Sequence, residues 1–549
     1  MTLQSGTRLH FVYFHLFKTT IPTGLPCYSC SPTVPSFKSD SSFFHKIAMG
    51  AIGSRAVKDD LAAHGHVVEE LERGSLDAKI WKGVKRKRVR IPDLVCVSCG
   101  QRIEVRAKGE PKLSMSHSPT IPERRWDYGM VGDDLIAIPV CTAEANDDVH
   151  VNAHWTRGVL TAGISYWNEK EWVKWRPDGA VNYFAVQAFR DARPDQTQTK
   201  GAEEGSETTL SWRSCFAPCD GTVTVISDAN ITVENASGEQ KRRGRKDMRP
   251  LVAIGDLVRL NQVLACNVTP RRAADLKCGG GLTSQGIFEM LRSQHLPVRF
   301  AGVKLARVRR DESLREVIEV IAANTDEDIY VRLEAKAYLA AVHAQQIEAL
   351  FAGELSALDK ADQLEAVIAI GEVGTESATI LADILGSTSK DYFLRSAAAY
   401  CLGRIDSPVS RTALVKAFTA QTHRVREDAL AALADVGFGA LAELLEGVNH
   451  TDEQIQAGCA EVLRWLALRS DSITVERRIV PPIAGILSRE NRSLMAVWLG
   501  GQLPEPFMQA VLTEVLGRDA RLAYSLAVSW AFARSWIAPV HDSFRPPKQ

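Results

Sequence analysis

The chain lacks the long apolar run that a membrane-spanning helix requires. No stretch of its 549 residues approaches the roughly eighteen consecutive apolar residues of such a helix, so we expect no membrane span. It also lacks a net charge, because 66 Lys and Arg residues balance 66 Asp and Glu residues. With 45% apolar residues the composition is that of a globular protein, and the length predicts three or four domains.

The cysteine count gives no support to a disulfide framework. Eleven cysteines, an odd number, are scattered over the whole chain, which is typical of a reduced, cytoplasmic protein. Two C-x-x-C pairs occur, Cys27/Cys30 and Cys96/Cys99, but 66 positions separate Cys30 from Cys96. We expect free thiols at Cys96/Cys99 rather than zinc. A zinc site would need Cys141, Cys215 or Cys219 to complete it through tertiary contacts.

Local basic runs interrupt the neutral average. They lie at Lys82–Arg90, Lys241–Lys246 and Arg307–Arg310. Basic clusters attract nucleic acid, although a solvated loop is the simpler interpretation of the second run. The first run leads directly into the most informative part of the sequence.

Two short strand-like segments follow that run. Arg88–Val97 and Gln101–Lys108 flank Ser98-Cys99-Gly100, a turn signal, so the unit is predicted to be a β-hairpin. Strand alternation places Glu104, Arg106 and Lys108 on one face. Acidic and basic groups on one sheet face suit metal-dependent phosphodiester cleavage, in which carboxylates hold Mg²⁺ and a cation stabilises phosphate charge.

Pro92-Asp93 and Glu104-Val105-Arg106 resemble the motif of the PD-(D/E)xK nuclease superfamily. The resemblance covers about residues 49–140 and implies an α/β restriction-endonuclease-like domain with Mg²⁺ bound by Asp93 and Glu104. Arg106 stands where the family usually has lysine, and Lys108 is the candidate substitute. A family glutamate on a preceding helix would correspond to Glu70, on a helix predicted over Ala51–Arg73. The other interpretation is an ordinary hairpin with a charged face.

Composition predicts the remaining domain boundaries. Residues 1–48 are expected to be a disordered extension, with Met49 as the biological start. The nuclease-like domain with its Trp-rich extension would occupy 49–191, followed by a linker at 192–211. Residues 212–300 are β-rich and resemble the barrel-sandwich of biotinyl and lipoyl domains. The Met-Lys-Met-type carrier hairpin is missing, which indicates a structural or binding module.

A repeat dominates the C-terminal region. Five apolar residues, Leu339, Ile370, Leu402, Leu433 and Leu463, are spaced 31, 32, 31 and 30 positions apart within Ala-rich helical segments. Two helices per unit at this period predict an all-α solenoid over residues 311–535. The pattern resembles short HEAT repeats, which implies a surface that binds a protein or nucleic acid.

Two functions remain open at this point. In the first, the N-terminal domain cleaves nucleic acid, DNA or RNA, in bacterial defence or repair, while the solenoid holds the substrate or a protein partner. Asp93, Glu104, Arg106, Lys108 and Glu70 would form that site. In the second, the nuclease fold is degenerate and the chain is a non-enzymatic interaction scaffold.

Overall fold

The computed structural model describes most of the chain between residues 41 and 487. The described ranges are 41–76, 91–145, 165–167, 172–194, 196–200, 207–245, 247–271, 273–357, 359–470 and 472–487, with 513–514 and 517 beyond them. The basic run Lys82–Arg90, the Cys27/Cys30 pair and most of 488–535 lie outside these ranges. None of the described helices is both long and apolar enough to cross a membrane.

The N-terminal domain is built on a mixed five-stranded sheet covered by one helix. The helix is α1 (Ser41–Ala63), and the strand order is β1-β2-β3-β5-β9, with β3 and β5 parallel and the other neighbours antiparallel. Val57 and Leu61 of α1 pack on Leu94 and Ile103 of the sheet. The strands are β1 (Val68–Glu70), β2 (Leu94–Cys96), β3 (Arg102–Val105), β5 (Leu135–Ile138) and β9 (Asn182–Ala185).

Two smaller sheets and a short helix complete this domain. One sheet has the order β10-β11-β4 and the other β6-β8-β7, both antiparallel. Their members are β4 (Leu113–His117), β6 (Cys141–Ala145), β7 (Ser165–Trp167), β8 (Trp172–Pro177), β10 (Gln196–Lys200) and β11 (Glu207–Trp212); the helix is α2 (Val186–Asp191).

Three boundaries in the N-terminal half differ from the sequence-based expectation. α1 begins at Ser41, inside the predicted extension, and ends at Ala63 rather than Arg73, because Gly65 turns the chain at φ +83° and strand β1 follows. The predicted linker 192–211 contains β10 and most of β11. Leu210 and Trp212 of β11 pair with Met115 and Leu113, so this polar segment is part of the sheet.

The middle region consists of two small antiparallel sheets, as the β-rich composition predicted. Their orders are β12-β18-β16 and β15-β14-β13-β17. The strands are β12 (Ser214–Phe216), β13 (Gly221–Ile226), β14 (Asn230–Glu234), β15 (Gln240–Gly244), β16 (Arg249–Pro250), β17 (Leu257–Val258) and β18 (Val263–Cys266). The strands end at Cys266 rather than near residue 300.

Helices follow from Ser284 onward, earlier than the predicted start at 311. Thr283 caps the first of them by accepting a hydrogen bond from the Gly286 amide. The helices are α3 (Ser284–Leu291), α4 (Leu296–Val308), α5 (Arg315–Ala323), α6 (Ile329–His343), α7 (Ile347–Leu355), α8 (Lys360–Gly371), α9 (Ala378–Gly386), α10 (Tyr392–Ile405), α11 (Pro408–Lys416), α12 (His423–Val436), α13 (Leu441–Val448), α14 (Glu453–Arg469), α15 (Ser472–Arg478) and α16 (Val480–Leu487).

Alternate helices form a continuous row, which we call the central helix row: α4, α6, α8, α10, α12 and α14. Each helix of the row contacts the next member of the row, and the shorter helices between them lie along its sides. The five regularly spaced apolar residues of the sequence fall one each on α6 to α14 of this row, at 0–3% exposure. The predicted solenoid and its period are therefore confirmed within the described residues up to 487.

Candidate functional site

The two motif acids lie side by side at the end of the predicted hairpin. β2 pairs with β3 in the antiparallel register Leu94–Ile103. Asp93, which precedes Leu94, therefore lies opposite Glu104, which follows Ile103. Asp93 Oδ2 accepts the Val105 amide at 2.7 Å. Glu104, 6% exposed, is ion-paired through Oε1 with Arg106 Nη2 at 2.9 Å. Each carboxylate therefore already has a compensating donor.

Lys108 lies beyond β3, where a parallel bridge to Val140 extends the pairing of β3 with β5. Its amide donates to Pro139 O at 3.0 Å, and its carbonyl accepts the Cys141 amide at 2.7 Å. The ammonium donates to the Ser114 carbonyl and, at 3.3 Å, to Ser114 Oγ. Burial, with smaller contributions from Arg106 and Lys112, lowers the pKa of Lys108 to about 7. A lysine with this pKa can exchange a proton near neutrality, which Arg106 cannot do.

Glu70 is on strand β1 and not on a helix. The registers Glu70–Leu94 and Leu94–Ile103 place it on the sheet face opposite to that of Glu104. Its carboxylate, 2% exposed, accepts the Leu76 amide at 2.9 Å and pairs with Arg404 Nη1 of α10 at 2.6 Å. Glu70 thus contacts the solenoid, while Asp93, Glu104, Arg106 and Lys108 stay together near β3.

Arg73 makes a second contact between the N-terminal domain and the central helix row. The side chain is 2% exposed; it donates to Glu334 Oε2 of α6 and lies 3.9 Å from Glu365 Oε2 of α8. The guanidinium also stacks over Phe300 of α4, 5.4 Å from the ring centre. Nearby, Leu71, Ile91 and Val95 belong to the same apolar cluster as the solenoid helices.

The solenoid surrounds Arg73 with charges of both signs. Arg307 of α4 donates to Glu334 Oε1 at 2.8 Å and to Glu372 Oε2 at 2.5 Å, and Lys304 reaches the same Glu372 oxygen at 3.2 Å. We call this set the junction network. It has four cations and four carboxylates: Arg73, Lys304, Arg307 and Arg404 with Glu70, Glu334, Glu365 and Glu372.

Burial and pairing oppose each other in the junction network. Burial by itself would raise the pKa of Glu334 and of Glu372, but the surrounding Arg and Lys side chains lower both below the usual range. The carboxylates therefore stay ionised. Arg307 belongs to the run Arg307–Arg310, which suggested nucleic-acid binding in the sequence; its side chain is instead 9% exposed and paired here.

A cavity of about 370 Å³ adjoins the network. Its lining includes Arg73, Glu372, Tyr400, Cys401 and Arg404. Arg404 Nη1 donates to Tyr400 Oη at 2.8 Å, whereas Nε and Nη1 of Arg73 make no hydrogen bond within the described parts of the chain. The cavity therefore combines two guanidinium groups with a phenol and a carboxylate.

A different group of side chains converges at the tip of the hairpin. Nitrogen and sulfur atoms of His66, Cys96, Cys99 and Cys278 all lie within 4.8 Å of one another. Within the described residues, this is the one group of three or more His, Cys, Asp or Glu side chains close enough together to hold a metal ion. His66 and Cys96 are buried, and the other two are half-buried.

Sequence reasoning considered Cys96 and Cys99 but missed their two companions. It named Cys141, Cys215 and Cys219 as the residues that could complete a site, whereas the structure supplies His66 and Cys278. The signal for Cys278 is weak: it directly precedes Gly279-Gly280-Gly281, a run unsuited to an apolar core. His66 follows the turn at Gly65, and nothing in its local sequence indicates a ligand.

A family comparison matches the centre of the solenoid. Residues 347–434 match the family model described as HEAT repeats. The C-terminal region therefore contains HEAT repeats. No curated protein sequence matches the chain.

Solved structures of other proteins are similar to less than half of this chain. The archaeal HEAT-like repeats protein from Thermococcus onnurineus NA1 is 16% identical, covering 45% of this chain and 99% of its own, with a TM-score of 0.21. Human deoxyhypusine hydroxylase is 14% identical; the match covers 45% of this chain and 85% of the hydroxylase, with a TM-score of 0.18. A chain of the CpcE and CpcF complex of phycocyanin lyase from Nostoc sp. PCC7120 is 16% identical; the match covers 46% of this chain and 96% of that one, with a TM-score of 0.18. Likenesses this distant bring no function to the chain.

Proposed function

We propose that the chain is a HEAT-repeat interaction protein whose central helix row binds the chain's own N-terminal domain and whose outside partners are proteins. The junction network carries this proposal. Taking an ion out of water costs several kcal/mol unless a partner compensates it. Arg73 is 2% exposed, and the carboxylates that compensate it, Glu334 and Glu365, both belong to the solenoid. This pairing supports permanent docking of the two domains.

The burial of the central helices supports the same conclusion. Nine consecutive residues of α10, from Leu394 to Leu402, are buried, and so are seven of α8, from Leu364 to Ile370. A helix that is buried around its whole circumference must be packed against other elements on every side. Flanking helices supply part of the cover, and Arg73, Leu71 and Glu70 of the N-terminal domain supply another part.

Hydrogen exchange of the full-length protein tests this arrangement. We compare Arg73→Met, which keeps the aliphatic stem but removes the charge, with the exposed control Arg315→Met on α5. Amides of α6 and α8 should exchange faster in Arg73→Met and at the wild-type rate in Arg315→Met. Equal protection in all three proteins would mean that Arg73 does not hold the domains together.

Nuclease activity is the second candidate, and the hairpin geometry favours it. The order of helix, Pro92-Asp93 and Glu104-x-Arg106 recurs as α1, β2 and β3, with the two acids at one end of the strand pair. Lys108, with its pKa near 7, suits the proton-transferring position left by Arg106. Mg²⁺ would be held by Asp93 and Glu104 and would supply positive charge to a phosphate. Arg106 would have to release Glu104 first.

A cleavage assay decides this second proposal. Single- and double-stranded DNA and RNA are incubated with the protein and Mg²⁺ or Mn²⁺, beside Asp93→Ala, Glu104→Ala and the exposed control Glu110→Ala. Metal-dependent cleavage that only the first two variants lose supports the nuclease, for which we propose a role in bacterial defence or repair in a reduced cytoplasm. Absence of cleavage on every substrate, or equal cleavage by all variants, contradicts it.

The barrel-sandwich resemblance of the middle region stays a prediction of a structural or binding module.

A further inference from the structure

We propose that His66, Cys96, Cys99 and Cys278 form a closed, structural zinc site. The ligands come from three separate parts of the chain. His66 lies between α1 and β1, the two hairpin cysteines lie at the end of β2 and in the following turn, and Cys278 lies between β18 and α3. The proposal goes beyond the interaction function and does not depend on it.

Two distances within the cluster match those of tetrahedral zinc. Zn–S bonds of about 2.3 Å and Zn–N bonds of about 2.0–2.1 Å in a tetrahedron put two sulfurs roughly 3.8 Å apart, and a sulfur and a nitrogen roughly 3.6 Å apart. Cys96 Sγ and Cys278 Sγ are 3.8 Å apart, and Cys99 Sγ and His66 Nδ1 are 3.6 Å apart. The sulfur pair is far outside the range of a disulfide bond.

The imidazole of His66 is oriented as a ligand. Its Nε2 is hydrogen-bonded to the Leu276 carbonyl, and because a carbonyl can only accept, Nε2 must carry the proton. In the neutral imidazole Nδ1 is then the unprotonated nitrogen, and it is the atom that faces Cys99. Metal-binding histidines use this arrangement, in which a backbone carbonyl fixes the tautomer and the ring orientation.

The hairpin turn presents its two sulfurs to the same point. The Cys96 amide donates to Gln101 O at 2.8 Å and the Gly100 amide to Cys96 O at 2.9 Å, with Gly100 at φ +77°. Glycine permits this conformation, so Cys-Val-Ser-Cys-Gly closes into a tight loop. Four protein ligands fill a tetrahedral site, which indicates a structural rather than a catalytic zinc.

The site would join the hairpin to the segment that leads into the solenoid. Backbone hydrogen bonds already connect Cys278 N to His64 O at 3.3 Å and Leu282 N to Ser98 O at 3.1 Å. Cys278 is 182 positions from Cys96, so a metal there would close a very long loop. It would hold the start of α3 beside the turn between β2 and β3.

Metal analysis of the full-length protein is the first test. The chain, produced with zinc in the medium and purified without chelators, should contain one zinc per molecule. Cys99→Ser and Cys278→Ser should lose most of it, and Cys219→Ser, a half-buried thiol of the middle region, should keep it. Zinc below about a tenth per chain in the wild type, or unchanged zinc in the first two variants, overturns the proposal.

A second measurement on the unaltered chain covers the case in which those variants do not fold. A mercurial titrated into the wild-type protein should release zinc to a coloured chelator in step with thiol modification. Cobalt exchanged into the site should give the sulfur-to-cobalt charge-transfer band and the visible bands of a tetrahedral centre. Metal that leaves without thiol modification, or cobalt without a sulfur band, contradicts thiolate ligation. A disulfide between Cys96 and Cys278 in freshly purified protein also overturns the proposal.

Discussion

Replacing Glu334 by glutamine tests the junction network at its most buried point. The carboxylate is 0% exposed and accepts from Arg73 and, at 2.8 Å, from Arg307. Glutamine keeps the shape and one acceptor oxygen but removes the charge. The four cations of the network, three of them buried, then face three carboxylates, with the excess positive charge at Arg73 and Arg307.

The size of the effect follows from the cost of an uncompensated buried ion. Removing one partner of a buried pair costs roughly 3–5 kcal/mol. At about 2–4 °C per kcal/mol for domains of 150–250 residues, the melting temperature should fall by roughly 6–20 °C. The N-terminal sheet and the central helix row should both lose protection, because Glu334 touches both.

Thermal melting followed by circular dichroism, with hydrogen exchange to locate the change, is the assay. Glu316→Gln on α5 is the matched control, since that side chain is exposed and its charge is compensated by water. The control should melt with the wild type. If Glu334→Gln also melts with the wild type, the junction network does not hold the domains and the reasoning fails.

Three further predictions use the same measurement. Burial would raise the pKa of Glu334, but Arg307 and Arg73 hold it below the usual range. The stability that ionised Glu334 contributes is therefore present above the unfolded-state pKa of about 4 and is lost as the pH falls below that value. The difference in melting temperature between Glu334→Gln and the wild type should accordingly become smaller in acid. Burial lowers the pKa of Lys108 to about 7. Between pH 7 and about 10 the lysine is therefore mostly neutral in the folded protein and protonated in the unfolded chain, so the free energy of unfolding rises with pH. Lys108→Met should abolish that rise. A Cβ at Gly371 would lie 2.4 Å from Cys401 Sγ, so Gly371→Ala should destabilise by roughly 1–3 kcal/mol. Gly353→Ala, with nothing within 4 Å, should instead gain up to about 1 kcal/mol, and the opposite order would refute the packing argument.

Features encoded by local periodicity were predictable from the sequence. The spacing of Leu339, Ile370 and Leu402 predicted the solenoid, because each repeat buries the same position against its neighbour. The turn signal at Ser98-Cys99-Gly100 likewise predicted the β2–β3 hairpin. In both cases the residues that decide the structure are close together in the chain.

Features that depend on distant partners were not predictable in this way. The polar segment around Thr208 and Leu210 looked like a linker because its partner, β4, lies about ninety positions earlier. Glu70 looked like a helical active-site acid because the sequence does not reveal that Arg404 faces it. His66 and Cys278 join the hairpin cysteines only through the tertiary fold, which a count of cysteine spacings does not contain.

Docking of the N-terminal domain has a consequence for how the repeats unfold. In an isolated solenoid each repeat contacts only its neighbours, so the array behaves as a one-dimensional chain that can fray from either end. Here Arg73 bridges α6 and α8, and Glu70 reaches α10. One domain thus contacts three successive repeats and should make them unfold as a single cooperative unit. The repeats from α12 onward should keep the graded, repeat-by-repeat behaviour of a free array.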